Sequence, residues 1–323
     1  LADETLSGIC VGALDIGGTK IAAAVVDDNG RVLARRECKT EQERGFEDAV
    51  GRMTAMLTGA CQECGGKLAG IGIGCTGPVD PATGRVCDVD FLPSWRDKDL
   101  AGALTAAFGV SVALENDADA DALGEARWGA SKDKSRLIYV TVGTGIGSGL
   151  VFDGALYRGA NGAHPEVAHM VIEASGPACY CGARGCWEAI AGGPAMAAWT
   201  NARRHETGEQ GPDWTGPQIC ELAGRGDRLA AEAVAREAFY LGVGIANLVS
   251  LFAPSAIVLG GGVVHDLDLY LDTIWKIIRT NCKYVPFEHI EIGPSSLGPD
   301  AALIGAAQTW FHRYQRNTNS HAS

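Results

Sequence analysis

Apolar and polar positions along this chain follow two spacings, and each change of spacing marks an element. Ile9 to Asp15 is an apolar run, Ile16-Gly17-Gly18-Thr19-Lys20 interrupts it, and Ile21 to Asp27 resumes it. Asp28-Asn29-Gly30 then precedes a further run from Arg31 to Cys38. Short apolar runs bounded by glycine turns predict strand, turn, strand, turn, strand. Phe46, Val50, Met53, Leu57, Ala60 and Cys64 recur at helical spacing and predict an amphipathic helix. Leu68 to Cys75 predicts a buried strand with alternating small residues, and Asp99 to Phe108 a helix. Val110 to Leu114 predicts a strand that delivers Glu115-Asn116-Asp117, with another helix from Asp119 to Trp128.

The opening plan returns later. Leu137 to Val142 reads as a strand, Gly143 to Gly149 as a glycine turn, Leu150 to Phe152 as the returning strand and Asp153-Gly154 as a second turn. Helical spacing then dominates, from Gly193 to Arg204 and from Arg228 to Leu251, before a strand at Ala256 to Leu259 opens onto Gly260-Gly261-Gly262. Two β-units of one plan predict two related lobes whose glycine turns face each other across a cleft. The actin-like, hexokinase-like (ribonuclease H-like) ATPase fold, an α/β architecture, is built this way. The expected lobes are residues 1–118 and 119–300. Gln210 to Gly216 reads as a surface loop and the tail after Arg316 as disordered.

Composition narrows the function classes. A net charge of −12 argues against a nucleic-acid backbone as partner, although a nucleotide needs only local donors and a metal. The 11 Cys show no regular pairing, which suits a reducing cytoplasm. Cys61 and Cys64 fit one helix face as packing. Leu1 to Ser7 is acidic and lacks the apolar run of a signal peptide. The most apolar stretch, Val243 to Gly262, is broken by Asn247, Ser250 and Pro254, so no membrane span is expected. A cytoplasmic enzyme without nucleic-acid or membrane partners is the expectation.

Three elements carry chemistry. In Asp15-Ile16-Gly17-Gly18-Thr19-Lys20 the paired glycines let backbone N–H groups converge on phosphate oxygens, and Thr19 adds a hydroxyl. Lys20 either points at phosphate or stays solvated. Asp15, at the strand end, is placed to hold the Mg2+ of ATP through water. Gly143-Thr144-Gly145-Ile146-Gly147 is a second phosphate loop, with Thr144 its best side-chain donor. It is not a dinucleotide fingerprint, because Ser148 stands where the third glycine belongs and a strand follows. That excludes the oxidoreductase reading. Asn116-Asp117 offers a general base: phosphorylating an alcohol requires its proton to leave, and the Asp117 carboxylate can accept it. Asn116 would clamp a hydroxyl of the acceptor, while Asp119 takes the capping of the following helix. Asp121 and Glu125, one helical turn apart, are expected in solvent. Gly261 and Gly262, after a strand, would let an adenosine approach the backbone, with a helix-cap turn as the alternative use.

The densest cluster is Glu166-Val-Ala-His169 followed by Cys179-Tyr-Cys181-Gly-Ala-Arg-Gly-Cys186-Trp-Glu188. One His and three Cys can close a tetrahedral zinc shell, and four protein ligands make such a site structural. This run resembles the ROK group of sugar kinases and repressors, marked by Glu-x-Gly-His and then Cys-x-Cys-Gly-x-x-Gly-Cys-x-Glu. The resemblance spans Asp15 to about Gln308. It implies His169, Cys179, Cys181 and Cys186 as zinc ligands, and Glu166, His169 and Glu188 on sugar hydroxyls. By the same resemblance Gly77 brings backbone close to the sugar, the helix Ala301 to Tyr314 crosses back so that residues 301–323 join the first lobe, and the protein is a homodimer. The implied reaction is ATP-dependent phosphorylation of a hexose 6-hydroxyl, glucose first. N-acetylhexosamines (N-acetylmannosamine, N-acetylglucosamine), fructose, mannose or amino sugars are rivals, and polyphosphate is an alternative donor. A sugar-responsive repressor is the reading from another class, disfavoured here because only eight residues precede the first strand. Ala168, Thr76 and Phe91 depart from the family's usual Gly, Pro and Asn, and Asp119 and Asp121 make the helix start unusually acidic.

Overall fold

The structure, a computed structural model, describes residues 8–89 and 92–315. The expectations placed on Leu1–Ser7, on Phe91 and on the tail after Arg316 lie outside the described residues. The chain divides into two compact units. The first comprises residues up to Asp133, Leu156–His164 and Ser296 onward; the second comprises Lys134–Ala155 and Pro165–Ser295.

In the first unit, β1 (Cys10–Ile16), β2 (Lys20–Asp27) and β3 (Val32–Lys39) form an antiparallel meander, and α1 (Phe46–Cys64) follows it. Next come β4 (Leu68–Cys75), the two-residue strands β5 (Val79–Asp80) and β6 (Arg85–Val86), α2 (Leu100–Phe108), β7 (Ser111–Asn116) and α3 (Asp117–Trp128). The sheet order is β3-β2-β1-β4-β7, with β1, β4 and β7 parallel. Alternation decides the two faces. Leu14, Ile16, Ile21, Ala23 and Val25 belong to the core shared with Met53 and Leu57 of α1. Val11, Ala13, Ala22, Ala24 and Val26 belong instead to the core of α9 (Ala301–Tyr314).

The small residues of β4 have a specific use. A Cβ at Gly72 would stand 1.9 Å from the carbonyl oxygen of Ala306, and one at Gly70 would meet the Trp310 ring at 1.8 Å. Glycine therefore lets α9 lie directly on the sheet. Further along, a Cβ at Gly74 would approach Ala120 Cβ at 3.2 Å and Asp117 Cα at 3.5 Å, so α3 starts close above the same strand.

The first unit runs past the boundary expected at residue 118. The reason is packing: α3 crosses α9 so closely that a Cβ on Gly124 would be 2.9 Å from Gly305 Cα. Leu156–His164 also belongs to the first unit, because Arg158 and His164 bind acids of β7 and α3. Nor is Glu125 in solvent. It is 1% exposed and its carboxylate accepts the Ser296 amide and hydroxyl.

In the second unit, β8 (Arg136–Val142), β9 (Ile146–Phe152) and β10 (Ala155–Leu156, its second residue already in the first unit) are followed by α4 (Trp187–Ile190), α5 (Gly193–Glu206), α6 (Gly216–Gly224) and α7 (Arg228–Phe252). Then come β11 (Ala256–Gly260), α8 (Asp268–Asn281) and β12 (Glu291–Pro294). The sheet order β10-β9-β8-β11-β12 repeats the first: an antiparallel hairpin, then two parallel strands beside its first member. Length and apolarity alone would let α7 cross a bilayer. Its buried residues, from Ala230 to Val249, instead build the unit's core with Tyr270, Ile274 and Ile278 of α8.

Candidate active site

The first unit gathers carboxylates at one end of its sheet. Register sets the level: Asp15 of β1 pairs with Gly74 of β4, and Gly74 with Glu115 of β7. Asn116 closes β7 and caps α3, its Oδ1 accepting the amides of Ala118 at 3.0 Å and Asp119 at 3.4 Å. The cap is thus Asn116 and not Asp119. Asn116 Nδ2 also donates to the carbonyl of Gly77 at 3.4 Å, joining two residues expected at the sugar. Asp117 is the first helical residue, and its Oδ1 accepts the Ala118 amide at 2.8 Å. Burial holds its carboxyl above the ordinary carboxylate range, against that amide and His164, while Asp119 adds to the upward push. Burial, reinforced by Asp117, likewise raises Asp15 to about 6. Two acids that hold their protons this tightly on one sheet end are a suitable place for proton transfer.

The glycine turn between β1 and β2 is tighter than the sequence suggested. The Gly17 amide donates to the Lys20 carbonyl at 2.9 Å, and the Gly17 carbonyl accepts from Thr40 Oγ1. Gly17 therefore shapes the turn, and its N–H is not available to phosphate. Lys20 is half exposed and lies 3.8 Å from Glu37, a surface ion pair.

In the second unit the corresponding turn meets Glu188. Its carboxylate accepts the Ile146 amide at 2.7 Å, and a Cβ on Gly145 would lie 2.3 Å from it. Glycine at 145 is what admits the acid. Beside this turn, Thr144 and Gly262 line a cavity of about 850 Å3, walled further by Gly193, Ala197, Asn201 and Trp214. Gly261, at φ +92°, packs against Val142 at the base of the turn. Asn201 exchanges two hydrogen bonds with the Trp214 backbone, and the Arg204 guanidinium lies 4.1 Å from the Trp214 ring centre. That framework holds the indole in place.

The thiol cluster forms as expected. The ligand atoms of His169, Cys179, Cys181 and Cys186 all lie within 4.8 Å of one another. His169 Nδ1 is 3.6 Å from Cys179 Sγ, and the Sγ atoms of Cys181 and Cys186 are 3.6 Å apart. A tetrahedral zinc ion bound at 2.0–2.3 Å implies edges of about 3.5–3.8 Å, so the donor set fits the metal. No disulfide competes, since the three cysteines of the cluster and the remaining cysteines are all free. Burial pushes the Cys186 thiol up to about 12, whereas the Ala183 amide holds Cys181 below the usual thiol range. His169 Nε2, turned from the thiols, is 3.4 Å from the Tyr180 hydroxyl.

Each unit therefore collects its own part of the expected set. The first brings together Asp15, Gly77, Asn116 and Asp117; the second brings Glu188 to Gly145, sets Thr144 on the cavity wall, and brings Cys179, Cys181 and Cys186 to His169. Glu166 immediately precedes the short turn Val167–His169, and Ala168 in that turn is buried. Trp214, Asn201 and Tyr180 were not anticipated. The Gly-Pro start of α5 with small residues at helical spacing was the available sign of the cavity. Nothing in the pattern marked Tyr180 beyond its place between two cysteines.

Two sheets of identical strand order, each led by a glycine hairpin, define the class: an α/β protein of the actin-like, hexokinase-like ATPase type. The ROK family pattern matches residues 11–313, and the chain belongs to that family. It is 34% identical to a glucokinase of Streptomyces coelicolor, over 93% of this chain and 96% of that one. It is also 31% identical to the xylose repressor of Bacillus spizizenii, over 93% of this chain and 76% of the repressor. Among solved structures, a ROK family glucokinase from Streptomyces griseus in complex with glucose and AMPPNP is similar at a TM-score of 0.79 and 34% identity. That similarity covers 92% of this chain and 98% of the other.

Proposed function

We propose that this protein is a cytoplasmic ATP-dependent hexose kinase that phosphorylates the sugar 6-hydroxyl, with glucose as its substrate. One observation carries the reading: the buried carboxylate of Asp117, presented at the first turn of α3 beside Asp15 and the amide of Asn116. In the reaction the hydroxyl oxygen attacks the terminal phosphorus of ATP, its proton passes to Asp117, and ADP leaves. Burial makes Asp117 a stronger proton acceptor than a solvated acid.

Gly77, Asn116, Glu166, His169 and Glu188 would hold the sugar hydroxyls. Gly18, Thr19, Thr144 and Gly145 would meet the phosphates, and Gly261, Gly262, Asn201 and Trp214 the nucleoside. Asp15 would hold Mg2+ through water, and that ion's contribution is to neutralise phosphate charge. Zinc on His169, Cys179, Cys181 and Cys186 would be structural, fixing the loop between Glu166 and Glu188. The thiols, all unpaired, suit a reducing compartment.

The kinship with both a glucokinase and a xylose repressor sets the test. Glucose, mannose, fructose, N-acetylhexosamines, amino sugars and xylose are offered with ATP, and with polyphosphate in its place, and kcat/KM is read for each. Glucose with ATP is expected to lead. Sugar binding by calorimetry with no phosphorylated product from any sugar would replace the kinase with a sugar-responsive regulator.

A further inference from the structure

The start of α3 carries more charge than a cap and a base require. Glu115, Asp117 and Asp119 fall within five residues, and Asp119 has no exposed surface. Two basic side chains answer them, both from the segment Leu156–His164. Arg158 bridges the carboxylates of Glu115 and Asp119. His164 Nδ1 lies 2.7 Å from the same Asp119 oxygen and 3.5 Å from Arg158 Nη1. The second Asp119 oxygen is buried without a hydrogen-bond partner. Local backbone holds the segment: Asn161 and Gly162 take φ of 54° and 78°, and Gly159 N–H donates to the Ala163 carbonyl at 2.8 Å.

This arrangement bears on Asp117 by two routes. The Asp119 amide donates to Asn116 Oδ1, so an anchored Asp119 steadies the capped turn that presents Asp117. The second route is charge. A buried acid resists ionising, and a base must be ionised before it can accept a proton. Asp119 and Asp15 add negative charge around Asp117, whereas His164 opposes it; Arg158 and, from α9, Arg313 act on the adjoining Glu115. Glu115 itself, mainly through burial, is raised to about 7.

We propose that His164, anchored on Asp119, is a positioning residue for sugar phosphorylation: as a cation beside the first turn of α3 it keeps Asp117 ionised and ready to take the hydroxyl proton. The proposal rests on Asp117 being the base. Arg158 holds the acids in place, and His164 supplies the charge that varies with pH.

The direct readout is the carboxyl 13C titration of Asp117, assigned by its loss in Asp117→Asn, and it needs no turnover. His164→Gln is expected to raise the Asp117 midpoint by about half a pH unit or more, and His164→Lys to restore it. In an Asp119→Asn background, which removes the carboxylate that holds the imidazole beside α3, His164→Gln should move it by less than about 0.2. The acid limb of kcat should follow the same order. A merely structural role would lower thermal stability in these variants and leave the midpoint where it was, which overturns the proposal. If His164→Gln does not fold, an Asp117 midpoint equal in the parent and His164→Lys across the range where imidazole loses its charge overturns it as well. Turnover with unmoved midpoints rejects His164 and leaves the kinase reading standing. A parent that phosphorylates no sugar rejects the kinase reading, and with it any role for His164 in the reaction, whatever the titrations show.

Discussion

In the first unit the hairpin β1–β2 ends beside buried acids, Asp15 at its strand end and Asp117 two strands away; in the second, the hairpin β8–β9 of the same topology ends beside Glu188 and an apolar cavity. The strand order is shared, so it cannot account for the difference. What differs is the residue at each equivalent strand end. One residue before its end β1 carries Asp15, and β7 closes on Asn116 with Asp117 following, whereas the matching strands carry Thr141 one residue before the end of β8 and Pro294 at the end of β12. Strand ends in such sheets are where ligands bind, and the side chains there decide the chemistry. On the proposed assignment, one sheet plan used twice would supply proton transfer and metal binding from the first unit. From the second it would supply nucleoside packing and a metal-clipped loop.

The sharpest way to break the comparison is to remove acid chemistry from the first unit alone. Asp117→Asn should lower kcat by about 10²–10⁴-fold while sugar affinity, read by calorimetry, changes little. Turnover within tenfold of the parent would mean that the acids of the first unit are not the chemical half. The next largest effect belongs to the second unit. Metal analysis should find about one zinc per chain, and a strong chelator or Cys181→Ser should lower the melting temperature by roughly ten degrees and abolish turnover. A metal-free protein of unchanged stability would reduce the cluster to packed thiols. A smaller effect separates the two substrates: Trp214→Ala should raise the KM for ATP about tenfold and leave the KM for sugar within about twofold. Equal changes in both would remove the nucleoside from that cavity.

The sequence carried most of this division because its signals are local. α1 and β4 occupy the spans that periodicity assigned, Phe46–Cys64 and Leu68–Cys75. The thiol cluster was legible because all its ligands fall within 18 positions, from His169 to Cys186. What stayed hidden depends on distant partners. Glu125 reads as a solvated helix acid until Ser296, 171 residues away, covers it. Asp119 reads as a cap until Arg158 and His164 arrive from 39 and 45 residues on. Gly17 reads as a phosphate donor because sequence spacing does not show that its amide closes its own turn.

The smallest effect concerns how each unit treats a buried acid. The first unit meets Asp119 with Arg158 and His164, but the second buries Glu237 of α7 with less. Glu237 has no exposed surface; one oxygen accepts the Gly192 amide at 2.6 Å and the other has no hydrogen-bond partner. Burial raises its pKa from 4.5 to about 8. Between those values the folded protein holds a proton that the unfolded chain has released, so stability falls as pH rises from about 4.5 to about 8. Glu237→Gln keeps an oxygen for Gly192 and does not titrate. Relative to the parent its melting temperature should therefore climb by a few degrees from pH 5 to pH 8.5. The matching change at Asp119, whose side chain is paired with Arg158 and His164, should be destabilising at both pH values, since it leaves Arg158 short of a partner. A Glu237→Gln gap that stays constant with pH would show that the carboxyl is ionised throughout, held by water or by Arg236, and the contrast between the two units would then be one of partners and not of charge.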